Sequence, residues 1–243
     1  MKRWFIGGLF CMLMFGFPLT LMAEDYLAQA DTLYDQGGIE NILKSIPLYI
    51  KAVEANPNSY EANWKCARAY RDYGDEAKTQ NIEGWKEICK KYGKEGMKYA
   101  EKAMELEPNK VEGNFWYGCC VGVYSDGVSI LTAIREGLKG KTQKGFEKSY
   151  NADKMYEDGG PMIALGRFWS VLPWPMKKNK KALEYLREAL KYFPDNPETQ
   201  VYLAEVLIDE GEKDEAKTWL EKAAKGDEKY YSDRAKELLA NMK

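Results

Sequence analysis

The pattern of apolar and polar positions is plainest in the C-terminal third of the chain. In NPETQVYLAEVLIDEGEKDEAKTWLEKAAKGD, apolar residues fall at Val201, Leu203, Ala204 and Leu207; Gly211 interrupts, and Ala216, Leu220 and Ala223 follow. Spacings of three and four put each set on one helix face, and the glycine between them predicts an antiparallel hairpin. The second half of this pattern recurs upstream as Ala182, Leu186, Ala189 and Pro194, as Ala100, Ala103 and Pro108, and as Tyr49, Ala52 and Pro57. Each proline ends a second helix, because it lacks an N–H and clashes with the preceding turn. First helices are expected at EGNFWYGCCVGVY and PMIALGRFW.

The phasing gives five hairpins, roughly 26–57, 60–108, 111–154, 160–194 and 197–226, and a capping helix from Ser232 to Met242. The anchors Ala52, Ala103, Ala189 and Ala223 lie 51, 86 and 34 residues apart, so only the last interval is one clean repeat. The middle interval holds two hairpins. The first needs a helical insertion near 75–96, with a short helix around Glu83–Tyr92 carrying Trp85, Ile88 and Cys89 on one face, limited by Gly84, Gly93 and Gly96. No strand-like alternation is long enough to count, so the expected fold is all-α. The units resemble tetratricopeptide repeats, which pair small residues at helix crossings with a terminal proline.

The first 23 residues stand apart. Lys2 and Arg3 precede an apolar run from Trp4 to Met22, and Ala23 comes just before Glu24 and Asp25. This predicts a cleavable signal peptide over 1–23, an exported, periplasmic protein, and a repeat domain over 24–243. Phe10 before Cys11 does not fit a lipid-attachment signal, so no lipid anchor is expected. The formal charge of −2 argues against a broad nucleic-acid footprint. The chain has no histidine, which removes the commonest general base and metal ligand. Cys66, Cys89, Cys119 and Cys120 read as small apolar packers on helices, although an exported chain could pair them.

Gly159-Gly160-Pro161, Ala164-Leu165-Gly166-Arg167, Leu172-Pro173-Trp174-Pro175 and the Lys181–Ala189 helix carry a further resemblance. Together with the irregular spacing, they are similar to the TatT-like T components associated with TRAP transporters, and more distantly to the regulator-of-microtubule-dynamics repeat proteins. The first resemblance implies an oligomeric exported protein that docks a TRAP-type substrate-binding subunit.

No catalytic constellation emerges. Gly140-Lys141-Thr142 suggests a phosphate loop, but Arg135 stands where that loop needs glycine, and no strand precedes it. No enzymatic activity, cofactor or metal site is expected. Binding remains. The first helix of each hairpin would line a concave groove with Leu27, Asp31 and Tyr34; Trp64, Arg68 and Arg71; Phe115 and Cys119; Ile163, Arg167 and Ser170; Val201 and Glu205. Of these, Tyr34, Trp64, Arg68, Arg71, Phe115, Ile163 and Arg167 form the candidate site. Three mutually repelling arginines there would suit an apolar carboxylate or the acidic end of a peptide. Trp64 and Phe115 could instead be core between hairpins. Trp174, between Pro173 and Pro175, is expected to touch a partner or another subunit; the alternative is that it folds back over its own hairpin. The expected function is a non-enzymatic adaptor, the alternative a stand-alone ligand-binding protein using the same groove.

Overall fold

Twelve helices account for nearly all of residues 17–242, the part of the chain that the computed structural model describes. They are α1 (Phe17–Asp35), α2 (Ile39–Ala55), α3 (Tyr60–Thr79), α4 (Trp85–Leu106), α5 (Val111–Val128), α6 (Ile130–Arg135), α7 (Leu138–Asp153), α8 (Tyr156–Val171), α9 (Asn179–Tyr192), α10 (Pro197–Glu210), α11 (Lys213–Ala223) and α12 (Lys229–Asn241). The pairs α1/α2, α3/α4, α5/α7, α8/α9 and α10/α11 are the five expected hairpins, and α12 packs on α10 and α11 as the cap. The described residues contain no strand, and the fold is all-α, as the periodicity predicts. Residues 1–16 of the predicted signal peptide lie outside the described residues, and its expected end at Ala23 falls within α1. No helix among the described residues is long and apolar enough to cross a membrane.

The insertion near 75–96 takes a different form from the one expected. It is no separate element: it lengthens both helices of the second hairpin, to 20 residues in α3 and 22 in α4. Trp85 and Ile88 are half-buried and Cys89 buried, on one face as predicted. The helix nevertheless runs through Gly93 and Gly96, because those glycines are contact points. A Cβ on Gly93 would stand 2.5 Å from the Tyr124 backbone nitrogen. Close approach of α4 to α5 outweighs the helix propensity that glycine sacrifices. The short helix α6 between α5 and α7 has too few residues to show a period, and the sequence pattern missed it.

The crossing inside each hairpin uses the same device. A Cβ on Gly118 of α5 would meet the Phe146 ring at 2.3 Å, and one on Gly166 of α8 would meet Leu186 at 2.5 Å. Ala67 and Ala204 hold the matching places in α3 and α10 and are fully buried. The Gly159-Gly160-Pro161 motif also has a packing cause. Glu157, Asp158 and Gly159 take positive φ values of 49°, 51° and 87°, so regular α8 begins at Gly160 and Pro161. Gly159 lies against the Phe193 ring and Gly160 against Phe115.

The two tryptophans flanking the α8–α9 turn have opposite fates. Trp169 is buried in the core with Phe168 edge-on and the Lys181 ammonium 4.6 Å from its ring centre. Trp174 is 88% exposed. The turn that carries it is pinned by backbone bonds from Met176 N–H to the Pro173 carbonyl (2.8 Å) and from Lys178 N–H to the Trp169 carbonyl (3.1 Å).

Two substitutions separate the contact glycines from an idle one. Gly93→Ala forces backbone apart and should cost roughly 1–3 kcal/mol. Gly122→Ala, where a Cβ meets nothing within 4 Å, should gain up to about 1 kcal/mol through helix propensity. Urea unfolding of both variants measures the contrast, and equal effects would refute the packing account.

Candidate functional site

Register along the first helices is set by one repeated side-chain bond. Asn63 Nδ2 donates to the carbonyls of Pro57 (3.2 Å) and Ser59 (2.7 Å), and Asn114 Nδ2 to those of Pro108 (3.1 Å) and Lys110 (2.8 Å). Gln200 Nε2 donates to the Pro194 carbonyl at 2.8 Å. These amides satisfy the backbone of the preceding proline turn, and they align the helices that carry them. The residues that follow are equivalent from helix to helix: Trp64, Phe115 and Val201; then Arg68, Cys119 and Glu205; then Arg71, Gly122 and Ile208. Gly166 stands in α8 where Ala67, Gly118 and Ala204 stand elsewhere, which brings Ile163, Arg167 and Ser170 into the same rows. In α1 the buried Ala30 brings in Leu27, Asp31 and Tyr34.

The outer rows form a polar groove. Arg68 lies 3.9 Å over the Tyr34 ring and 5.2 Å from Trp64, and the Tyr34 hydroxyl donates to Asp72. Tyr49 donates to Asp31 (2.7 Å), which also accepts from Lys65 (2.7 Å). Arg71 donates to Asp72 (2.9 Å) and pairs with Asp75 at 3.4 Å. Arg167 donates to Glu205 (2.6 Å) over the Tyr202 ring (4.3 Å), and Arg234 from α12 grips the same carboxylate through Nε (3.1 Å) and Nη2 (2.9 Å). Beside this pair lies a recess of about 340 Å³ lined by Arg167, Ser170, Lys177, Glu205, Ile208, Asp209 and Arg234 among others. Three cations face two carboxylates there.

Two expectations need correction. Phe115 and Ile163 do not line the groove: each is only 6% exposed. Phe115 meets Trp116 and Tyr156 edge-on, and Ile163 packs with Met162 and Ala189. The innermost row lies at the junction of adjacent hairpins, so its large apolar side chains are drawn into the core; Trp64 stays half-buried under Arg68. The arginines also do not stand as mutually repelling charges. Arg71 and Arg167 carry their own carboxylates. Over the five first helices there are 16 acidic residues against 5 basic, while the five second helices have 13 against 19. Arg68 alone of the three has no ion pair among the described residues, whereas a buried Nε without an acceptor is common to Arg68 and Arg71. Sequence reasoning missed Arg234 and Lys177 as groove residues, because the cap and the turn enter the groove only through tertiary packing.

At mid-groove α5 presents only Cys119 and Gly122. All four cysteines among the described residues are free thiols. Burial pushes the Cys119 thiol up to about 12, with the nearby Arg71 pulling it down less strongly. An acid with a raised pKa stays protonated at neutral pH, so its thiolate is scarce below that value. Alkylation of Cys119 by iodoacetamide at pH 8 should run at least about a hundredfold slower than in the urea-unfolded chain. It should still be climbing at about pH 10. Mass spectrometry of the labelled peptide follows the rate, and a plateau near the ordinary thiol value of about 8.5 would contradict this environment.

Comparison with known proteins agrees with this architecture. The family described as "Regulator of microtubule dynamics protein 1-3" matches residues 26–156, and a tetratricopeptide repeat family matches residues 176–242. Regulator of microtubule dynamics protein 1 of Mus musculus is 28% identical over 184 residues, covering 72% of this chain and 55% of its own length. The Bos taurus protein is 27% identical over 184 residues, covering 70% and 52%. This chain therefore spans about half the length of the curated relatives it matches. Among solved structures, a thermophilic tetratricopeptide protein of Thermus thermophilus superposes with a TM-score of 0.60 at 18% identity, covering 89% of this chain and 99% of its own. Pseudomonas aeruginosa pilF gives 0.59 at 16% identity, covering 86% and 78%. At such identities these structures share the fold alone. The family match spans more than half of the chain, and this protein belongs to the regulator of microtubule dynamics protein 1-3 family, folded as a tetratricopeptide-type hairpin array.

Proposed function

We propose that this chain is a non-enzymatic, exported adaptor that holds a segment of a partner protein in the groove of its first helices. One observation carries the reading: the rows Asp31, Arg68, Cys119, Arg167, Glu205 and Tyr34, Arg71, Gly122, Ser170, Ile208 run across five consecutive first helices. Within them Arg68 has no ion pair among the described residues, its Nε finds no acceptor, and Gly122 leaves open space. An exposed mid-helix glycine that touches nothing forfeits helix stability without a packing return, which fits a surface kept clear for something else. The T-component resemblance points to a TRAP-type substrate-binding subunit as the partner and to the periplasm as the place. Trp174 is retained as a contact residue outside the groove.

A second reading, a stand-alone binder of an apolar carboxylate, is favoured by the recess beside Arg167 and Arg234, where cations outnumber carboxylates. The ligand would then sit at the C-terminal end of the groove, away from Arg68.

The two readings part experimentally. Titration calorimetry with a purified TRAP-type binding subunit should show binding that Arg68→Ala weakens by about 1.5–3 kcal/mol, the scale of a charged hydrogen bond. Gly122→Leu should weaken it too while leaving the fold intact. Absence of binding to that subunit, combined with a melting temperature raised by a fatty acid in the wild type but not in Arg234→Ala, would replace the adaptor with the ligand binder.

A further inference from the structure

In this array the first helices run parallel, so every turn from a first to a second helix lies on one edge. Side-chain contacts join the middle turns into a continuous surface. Lys78 at the end of α3 bonds Asp126 at the end of α5 (2.7 Å), and Gly127 lies against the backbone of Lys86 and Lys90 at the start of α4. Lys139 of α7 and Lys181 of α9 both lie over the Trp169 ring, at 5.9 and 4.6 Å. The turns at 80–84, 129–137 and 172–178 are thus neighbours in that order.

Each of these three turns exposes a large apolar side chain: Ile82 (37%), Leu131 (53%) and Trp174 (88%). The cations around them are Lys86, Lys90, Arg135, Lys139, Lys178, Lys180 and Lys181, none of which has an ion pair among the described residues. The acidic residues on or beside the same turns are Glu83, Glu87, Asp126, Glu136, Asp209 and Glu210, of which Asp126 accepts from Lys78, Asp209 from Lys177 and Glu210 from Asn179. Nothing in the fold requires the Trp174 indole, held out between two prolines on a pinned turn, to face water. An indole is amphipathic, with an apolar body and a polar N–H, and settles at the boundary between acyl chains and headgroups. Unpaired lysines beside it add attraction to a negative surface, each effective within a Debye length.

We infer that this turn edge rests on an anionic membrane surface, with the Trp174 indole at the headgroup level and Lys178, Lys180 and Lys181 on lipid phosphates. The inference concerns a different face from the groove and stands independently of the adaptor reading. A groove-bound partner would be carried along the membrane plane, since the groove opens between the two edges.

The test uses the full chain and vesicles whose acyl chains are brominated, which quench an indole only on contact. Trp174 emission is taken as the difference between the wild type and Trp174→Phe, so that the other tryptophans cancel. On phosphatidylcholine vesicles containing phosphatidylglycerol, that difference signal should be quenched, and raised salt should reverse the quenching. The double variant Lys178→Glu/Lys180→Glu should need about tenfold more lipid for the same quenching. Tyr192→Ala, an exposed aromatic at the opposite end of α9, should leave it unchanged. Equal quenching on pure phosphatidylcholine would overturn the inference, as would no quenching at all. So would Trp174 emission that shifts only when a purified protein partner or a second copy of the chain is added. None of these outcomes bears on groove binding, which Arg68→Ala and Gly122→Leu report separately.

Discussion

The rest of the structure depends on the close approach of two helices at a single small residue in each hairpin. Ala67, Gly118, Gly166 and Ala204 occupy that place in four consecutive first helices, and each is sealed against its partner helix. Interiors pack at crystal-like density, so a side chain even one methyl larger has nowhere to go. Once the crossing is fixed, the residue after it faces away from the partner helix. Arg68, Cys119, Arg167 and Glu205 therefore fall in one row, within which Arg167 and Glu205 pair directly. The groove follows from the packing of its back.

That origin also explains the electrostatics. A row built from equivalent positions brings like charges together unless neighbouring helices supply the opposite sign. Here carboxylates of the same helix and of a neighbouring one supply it: Asp72 and Asp75 of α3 itself accompany Arg71, and Glu205 of α10 is shared by Arg167 and Arg234. Half-buried ion pairs of this kind add little net stability, because desolvation offsets attraction, but they fix the position of each guanidinium. Arg68 is held differently, by the faces of Tyr34 and Trp64. The groove is consequently neither a basic clamp nor an acidic trough. It is a mostly self-neutralised surface in which, among the described residues, Arg68 near the N-terminal end has no ion pair.

The α8–α9 turn shows how one short stretch serves two surfaces. Leu172 and Trp169 turn inward and complete the core, while Pro173 and Pro175 hold Trp174 outward. Restricting the backbone beforehand would lower the entropy lost if a surface covered the indole. The buried and the exposed tryptophan sit close together in the chain and do not interfere.

Much of this was legible in the residues. The 3.6-residue period, the Ala–Pro endings and the Gly211 turn determined an all-helical chain of five hairpins with a cap, and the spacing of small residues marked equivalent positions in successive first helices. These signals are local, carried by residues within one or two helical turns. What only the tertiary structure decided was non-local. Gly93 and Gly96 sit inside a long helix because α5 lies against them. Phe115 and Ile163 are core because adjacent hairpins close over them. Arg167 is neutralised by Glu205, a carboxylate that folding brings to it from α10, and Arg234 reaches the groove from the cap. A side chain's period names the face it occupies, but only the neighbour packed on that face determines whether it is buried, paired or free.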